Sequence, residues 1–547
     1  MNVPNPEIFT REERRLLEPY FTNLDERVFA LTNLPEVVKG ALFARYSRSP
    51  KSLRRLFLDE FIDTDHGAAF DTGAGLRRAR ELYDRVFIEF GDDSVAQLGG
   101  AHLAVEGASN ILTKILERGR LMSYLEQSTR YIPFTSRLDG RWRYCIPPEL
   151  ENHPARKVYI EVLDEIFETY TEWVKPLQEL LSTRFPQGTE SVAVHHRTLQ
   201  AKALDILRGL LPAATTSNLG LFGSGQAFES LLLRMRAHPS AEARETARLM
   251  LHELRKVIPE FLKRVDQEER GVVWSRYLSE TREETERMAS EFFGEDSPLS
   301  KEEKGPAEKS QTVQLTDFDP EGEIKVIAAA LYSTSNLPDG ELLARVRRMP
   351  HEDRVRVLKA YVGSRRNRRH RPGRAFERTS YRFDILSDYG AFRDLQRHRI
   401  LSIEWQQLTT HHGYHFPQEL EASPLGDRWH QIMTRSSELF HRLAVEGLER
   451  VASYAVCMAY RIRYYMEMNA REAMHLIELR TAPQGHTSYR LIGQEMHRLI
   501  AETAGHRAIA EAISFADHTS GEEGRLSAEM SLETRRTDHG SILRLEE

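Results

Sequence analysis

The sequence predicts a helix-rich chain organised as two tandem copies of one domain, and three observations carry that prediction. Amphipathic stretches with a period near 3.6 fill the first third and return as long helices at about 155–183 and 428–450. A polar motif of arginines and serines, Arg118–Arg130, recurs in reduced form at Arg397–Ser402. Between them lies 294–312, GEDSPLSKEEKGPAEKSQT, with eight charges, two prolines, two glycines and no aromatic, the composition of a linker. The domains are therefore placed at 1–293 and 313–547, the second ending in a polar tail from about 516.

Taken in order, residues 76–90 set Leu82, Val86, Phe87 and Phe90 on one face, which predicts a helix. Gly91-Asp92-Asp93-Ser94 breaks it and caps the next segment. Small residues at Ala96, Gly99, Gly100, Ala101, Ala104 and Gly107 then suit close packing against another backbone. The stretch that follows, Glu117–Tyr131 (ERGRLMSYLEQSTRY), organises the rest. Arg118, Arg120, Ser123, Ser128 and Arg130 fall in the pattern R-x-R-x-x-S-x-x-x-x-S-x-R, with Glu126 two places before the second serine. Arginine offers planar charged donor forks suited to phosphate, and serine adds short neutral donors. A carboxylate among them accepts from a ring N–H or a sugar hydroxyl. These residue types ask for a phosphorylated ligand, a nucleotide first. Arg118 and Arg120 would point about 200° apart on a helix, so either the helix ends there or they serve different partners.

Trp142–Ile146 reads as a short strand stopped by Pro147-Pro148, and the helix at about 155–183 carries the stripe Val158, Val162, Ile166, Phe167, Tyr170 and Leu177. In the helix ESLLLRMRAHPS (Glu229–Ser240), Arg234 and His238 share a face at i,i+4. The basic run Gly363–Arg374 is read as an exposed loop or subunit contact rather than a nucleic-acid site, because the chain is acidic overall. In the second copy Arg397, His398, Arg399 and Ser402 repeat R-x-R-x-x-S, and Arg471 and His475 again share a helix face. His411, His412 and His415 invite a metal reading, but Gly413 interrupts any helix that would align them and no cysteine or carboxylate cluster completes a set, so no metal is expected.

Composition bounds the class. Against 82 acidic residues stand 76 basic ones, a net charge of −6, so any anion site is local. No run approaches a membrane span, and the start has neither an apolar signal core nor a transit character. The two cysteines, Cys145 and Cys457, form no CxxC pattern and read as buried small hydrophobes in a reducing cytoplasm.

The stretch SYLEQSTRY (Ser123–Tyr131) resembles the signature of the flavin-dependent thymidylate synthases, R-H-R-x-x-S-x-N-E-Q-S-x-R-Y. The upstream run DSVAQLGGAHLAVEGAS (Asp93–Ser109) also resembles that family. Gly119 stands where the family has histidine, and Gln97-Leu98 replace its Glu-His. DILRGLLPA (Asp205–Ala213) is similar to the family's A-R-x-x-L-P, and Glu229–Ser240 to its L-x-L-R-x-x-x-H. In the second copy YRIRYYMEMNAREAMHLIELRTAPQG (Tyr460–Gly485) resembles the family's C-terminal motif, with Arg480 corresponding to Arg234. That copy keeps the histidine, His398, but has Trp405, Gln407 and Thr409 for the glutamate, second serine and third arginine, and Ser453 where the first has Arg208.

The resemblance implies a helix-rich α+β fold: two tandem copies of a flavin-dependent thymidylate synthase-like domain. It implies conversion of dUMP to dTMP with bound FAD, using methylenetetrahydrofolate and NADPH as co-substrates. Residues carried over for the nucleotide are Ser123, Glu126, Gln127, Ser128, Arg130, Arg208 and Arg234, with Ser128 and Arg234 nearest the chemistry. Those carried over for FAD are Arg118, Arg120, Arg397, His398, Arg399, Ser402, Asn469, Arg471, His475 and Arg480. Because the family is a homotetramer with sites between subunits, a homodimer of this chain is expected to imitate it. A first-copy nucleotide motif would then meet a second-copy R-H-R motif in a composite site. The alternative is a degenerate homologue that binds flavin or nucleotide, or keeps only the scaffold.

Overall fold

In a computed structural model, residues 7–62, 97–130, 132–188, 191–294, 312–421 and 423–519 are described. The predicted helix 76–90 with its Gly91–Ser94 break, Tyr131, and nearly all of the linker and polar tail lie outside these residues.

Two series of elements follow the same order. The first is β1 (Gly100–Ser109), α1 (Asn110–Leu116), β2 (Met122–Glu126), α2 (Arg156–Arg184), α3 (Val192–Leu207), β3 (Thr216–Ser224) and α4 (Gly225–Arg236). The second is β4 (Thr312–Phe318), β5 (Ser380–Asp388), α5 (Tyr389–Gln396), β6 (Ser402–Trp405), α6 (Pro424–Val445), β7 (Arg461–Asn469), α7 (Ala470–Arg480) and α8 (Thr487–Glu502). The sheets run β1-β3-β2 and β4-β5-β7-β6, so the third strand of each motif lies between the other two in both copies. Strands β2 and β3 pair antiparallel from Met122↔Gly223 to Glu126↔Leu219. Strands β5 and β7 pair antiparallel from Ser380↔Asn469 to Asp388↔Arg461.

The repeat is built by one local device, a strand whose last residue caps the following helix. Ser109 accepts from Leu112 N–H, Ser224 from Ala227 N–H, Asp388 from Ala391 N–H and Asn469 from Glu472 N–H. Each cap satisfies one backbone donor that the first helical turn leaves open, worth about 1 kcal/mol. The small residues before the motif do permit close backbone approach. A Cβ on Gly100 would lie 2.7 Å from the Gly223 carbonyl oxygen, and one on Gly99 2.5 Å from the Phe261 ring.

The chain forms two compact units. One comprises Met1–Ala108, Gly119–Glu126 and Ser217–Gly294; the other comprises Ser109–Arg118, Gln127–Thr216 and Glu295–Glu547. The second unit thus takes α1, α2 and α3 of the first copy together with the whole second copy. One hydrophobic core serves it, from Phe134, Tyr159 and Tyr170 through Trp429 to Ile509. Of the predicted stripe of α2, Val162, Ile166, Phe167, Tyr170 and Leu177 are buried, and Val158 packs at the edge.

At the centre of that unit the loops after α3 and before β7 pair with each other. Ala213 N–H donates to Val456 O (2.8 Å) and Ala214 N–H to Tyr454 O (2.9 Å). In return Met458 N–H donates to Leu211 O (2.9 Å) and Ala459 N–H to Gly209 O (2.9 Å). Glycine at 209 is required by contact: a Cβ there would sit 2.7 Å from the Trp429 ring.

Three expectations are corrected. Trp142–Ile146 is not a strand: it makes a single bridge, Tyr144↔Thr215, between the turn at Asp139-Gly140 and Pro147. His238 does not share a helix face with Arg234, because α4 ends at Arg236 and the His238 ring turns back to accept from Ser240 N–H (3.1 Å). Arg471 and His475 do lie four residues apart on one helix, α7, as expected, with different polar partners. Arg471 donates to Pro372 O (3.0 Å), while His475 faces Glu472. Arg365 of the basic run is not exposed; it forms a buried two-pronged pair with Glu478 (both 2.6 Å) and donates to Ala512 O. Among the described residues no helix is long and apolar enough to cross a membrane.

Candidate active site

In the unit that holds the second copy, arginines from both copies gather around two buried aspartates. Arg130 follows β2 and grips Asp205 of α3 with two prongs, Nε–Oδ1 2.7 Å and Nη2–Oδ2 2.9 Å. It also donates to the Tyr489 hydroxyl (2.9 Å) and the Gln484 carbonyl (3.1 Å) of the second copy. Arg208, capping the end of α3, donates from Nη1 to Asp394 Oδ2 (3.2 Å), and Arg397 donates from Nη2 to Asp394 Oδ1 (2.5 Å). Asp394 lies on α5 one turn before Arg397, a spacing that puts the two on one face.

The charges hold one another in their ionised forms. Burial would raise the Asp394 pKa, but the guanidiniums of Arg397, Arg208, Arg480 and Arg130 outweigh it and hold the carboxyl well below the usual range. For Arg130, burial opposes the charge, and the Asp205 carboxylate more than compensates. Such a cluster is tolerable in a low-dielectric interior only because each ion is paired.

Beside it sits the second-copy histidine motif. Arg480 Nε–H donates to His398 Nε2 (3.0 Å), and His398 Nδ1 faces Glu472 Oε1 (3.2 Å). Arginine is only a donor, so the His398 proton resides on Nδ1 and points at the carboxylate. Burial pushes the His398 pKa down to about 4. Glu472, although burial opposes its charge, is lowered to about 2 by hydrogen bonds from His398 and His475. His475 Nδ1 lies 3.4 Å from the same Glu472 oxygen, and its ring meets His398 edge-on. The ligating atoms of His398, Glu472 and His475 fall within 4.8 Å of one another, a spacing that a metal ion could use. The hydrogen bonds argue otherwise. Arg480 takes Nε2, the remaining proton takes Nδ1, and a cation would lie beside the Arg480 charge. His411, His412 and His415 form no such group among the described residues.

Two donors in this cluster lack a protein partner among the described residues. Arg208 Nη2 is buried without one. Arg480 spends only its Nε on His398, leaving its two terminal nitrogens for a ligand. Three N–H-bearing nitrogens around a buried site match the oxygens of a phosphate, such as that of a nucleotide or a flavin pyrophosphate.

The other candidates are placed as follows. Gln127 accepts from Arg143 (3.0 Å), and Ser128 Oγ accepts from Arg130 N–H (3.2 Å), fixing the turn that aims Arg130. Arg118 pairs with Glu404 and lies over the Trp405 ring at 5.2 Å, so it is held on β6. Arg399 and Ser402 are exposed, and Asn469 spends its side-chain oxygen on the α7 cap. Ser123, Glu126, Arg120 and Arg234 belong to the other compact unit. There Glu126 is buried while Ser123 and Arg120 are exposed. At Gly119, where the family has histidine, a Cβ would lie 2.6 Å from the Tyr124 hydroxyl and 3.6 Å from Arg234 Nη2. Tyr124 donates to the Gly119 carbonyl (2.8 Å), so tyrosine occupies the room a side chain would take.

The sequence missed Asp205, Asp394, Glu472 and Tyr489. The i,i+3 spacing of Asp394 and Arg397 was a usable local signal, whereas Tyr489 lies 359 residues from Arg130 and carried none.

Comparison with known proteins agrees with the duplication. The family model described as thymidylate synthase complementing protein matches twice, at residues 41–260 and 314–504, together more than half of the chain. The chain is 39% identical over 536 residues to a UPF0159 protein of Chlamydia pneumoniae, covering 96% of this chain and 98% of that protein. It is 28% identical over 517 residues to a UPF0159 protein of Thermoplasma acidophilum, covering 90% and 98%. A flavin-dependent thymidylate synthase of Mycobacterium marinum is 30% identical over 179 residues, 32% of this chain and 66% of that protein.

Proposed function

The chain belongs to the thymidylate synthase complementing protein family as a tandem duplicate, and from that premise we propose that it methylates dUMP to dTMP, with bound FAD, methylenetetrahydrofolate and NADPH. One observation carries this reading. First-copy Arg130 and Arg208 and second-copy Arg397 and Arg480 surround Asp394 within one compact unit, with His398 against Arg480. On this reading the composite site anticipated between subunits is assembled from the two copies inside one chain.

Arg208 and Arg480 hold the nucleotide phosphate through the nitrogens that no described protein group uses. Arg130 is locked by Asp205 and Tyr489, so it meets the ligand with its orientation already fixed. His398, neutral and with its proton committed to Glu472, positions Arg480. The arginines stabilise negative charge as it develops on the pyrimidine, in a site where burial strengthens each interaction. Arg397, with the exposed Arg399, would hold the flavin, which when bound supplies hydride chemistry. We read the assembly as a homodimer with one such cluster in each chain.

The test is the visible absorbance of the purified chain reconstituted with FAD, before and after dUMP. A bound-flavin spectrum that shifts with dUMP supports the reading, and R130A and R397A are each expected to abolish dUMP-dependent flavin oxidation. Full activity in either variant removes the composite site. A second reading, a degenerate homologue without turnover, is favoured by one observation: Asp205 and Asp394 already pair with Arg130, Arg208 and Arg397. It requires that no dUMP-dependent flavin oxidation occur, whether or not flavin or nucleotide is bound.

A further inference from the structure

The stretch between the helix His351–Val362 and β5 opens with GSRRNRRHRPGR, six arginines and no acid from Gly363 to Arg374. One of the six is spent on the fold. Arg365 is clamped by Glu478 and the Ala512 carbonyl, and it also donates across the loop to His370 O (2.6 Å). The loop is built around that anchor. The chain leaves the helix at Gly363, with φ 63°, a left-handed conformation that glycine adopts without strain. Asn367 shapes the tip: its side-chain oxygen accepts from Arg369 N–H (2.9 Å) and its carbonyl from His370 N–H (3.0 Å). His370 Nδ1 accepts from Arg366 N–H (3.3 Å), and the Pro372 carbonyl accepts from Arg471 (3.0 Å). What this framework displays is Arg366, Arg368, Arg369 and Arg371, all exposed and without an acidic partner among the described residues. The surrounding acids are engaged elsewhere: Asp353 with Arg356, Glu377 with Arg374 and Arg471, Glu478 with Arg365, and Glu511 with Lys359. Glu352 lies in the first turn of the helix, at the opposite end from the loop. A net charge of −6 is an average over the chain, and at this loop the field is positive.

We propose that this loop is a docking surface for duplex nucleic acid, held through the phosphate backbone without regard to sequence. Arginine alone, with no lysine, supplies planar forks that pair with phosphate oxygens. From Gly363 to Arg371 there is no aliphatic side chain and no Phe, Tyr or Trp. The loop therefore lacks the apolar core of a protein interface, the apolar anchor of a membrane surface and the stacking platform of a single-strand site. A duplex offers one phosphate for about every 1.7 Å of its axis, a charge density that suits four arginines within six residues. The displayed segment is a turn, neither helix nor strand, so it rests on the backbone and does not enter a groove to read base edges.

The experiment is fluorescence anisotropy of a labelled DNA duplex of about 20 base pairs, titrated with the full-length protein between about 50 and 200 mM salt. Affinity is expected to fall with salt at a log–log slope of about −3.6, roughly 0.9 for each of four phosphates. The variant combining R366A, R368A, R369A and R371A should bind about tenfold or more weakly at the lowest salt and flatten the slope toward zero. R368A or R369A alone should reduce the slope by about 1. Lysine at the same four positions should keep the slope, which counts charges; a slope lost there as well would place the effect in the shape of the loop and overturn the reading. No duplex binding by the natural chain at about 50 mM salt overturns the proposal, as does binding that the combined alanine variant leaves intact. Equal or tighter binding of a polyglutamate peptide or of phosphatidylserine vesicles also overturns it, since the loop would then seat an acidic protein or a membrane. Should the combined variant fail to fold, R368A and R369A carry the slope test by themselves.

Discussion

At the scale of single residues the site is defined by who neutralises whom. His398 is the sharpest case, because its ring is sandwiched between a donor and an acceptor. Its pKa in the folded chain is about 4, against an ordinary value of 6.5. Above pH 6.5 the ring is neutral in both states; between 6.5 and about 4 only the unfolded chain takes the proton, so stability is lost as pH falls through that window. The slope is roughly 1.4 kcal/mol per pH unit, about 2 kcal/mol between pH 7 and pH 5. Urea unfolding at those two pH values should show this loss in the natural chain and a smaller one in H398Q; equal losses would mean that His398 is not held neutral. Arg365 makes a second residue-scale prediction. Its pair with Glu478 is almost wholly buried, so R365A leaves an uncompensated carboxylate and should cost about 3–5 kcal/mol, seen as a lowered urea midpoint.

At the scale of elements, the recurring unit is a strand that ends in its own helix cap. The device explains why Asn469, carried over as a flavin contact, is placed where it is: its oxygen is spent on the first turn of α7, the helix that delivers His475 and Arg480. N469A should lower stability by about 1 kcal/mol and weaken flavin retention together, whereas a residue used for flavin alone would leave the unfolding midpoint unmoved. The paired loops of the two copies are the other decisive element. G209A pushes a methyl group into Trp429 at 2.7 Å and should cost about 1–3 kcal/mol, with loss of the composite site if the loops separate.

At the scale of the whole molecule, the duplicated copies do not map onto the compact units. The core that contains Phe134, Tyr159 and Leu207 of the first copy also contains Trp429, Tyr464 and Ile500 of the second. Fragments 1–293 and 313–547 should therefore fail to fold cooperatively when expressed apart; two cooperative unfolding transitions from separate fragments would contradict this. The composite site also predicts a stoichiometry. The proposed single cluster per chain predicts one FAD per chain at saturation, and G119H, which returns the missing histidine but meets the Tyr124 hydroxyl, should not raise it.

The sequence by itself determined the duplication, the long helices and the positions of the arginines, because these are written in local spacing. An apolar residue every three or four positions makes a helix face wherever the helix packs, and R-x-R-x-x-S is visible without knowing its neighbours. It also placed Arg365 wrongly on the surface and put His238 on a helix that ends two residues earlier, since a charge run says nothing about a buried partner 113 positions away and a proline two residues ahead does not fix where the last turn closes. Which acids pair with which arginines was decided only by the tertiary structure. Arg208 meets Asp394 across 186 residues and Arg130 meets Tyr489 across 359, contacts that no local pattern encodes. They exist because one hydrophobic core draws the two copies together and leaves their polar ends facing each other.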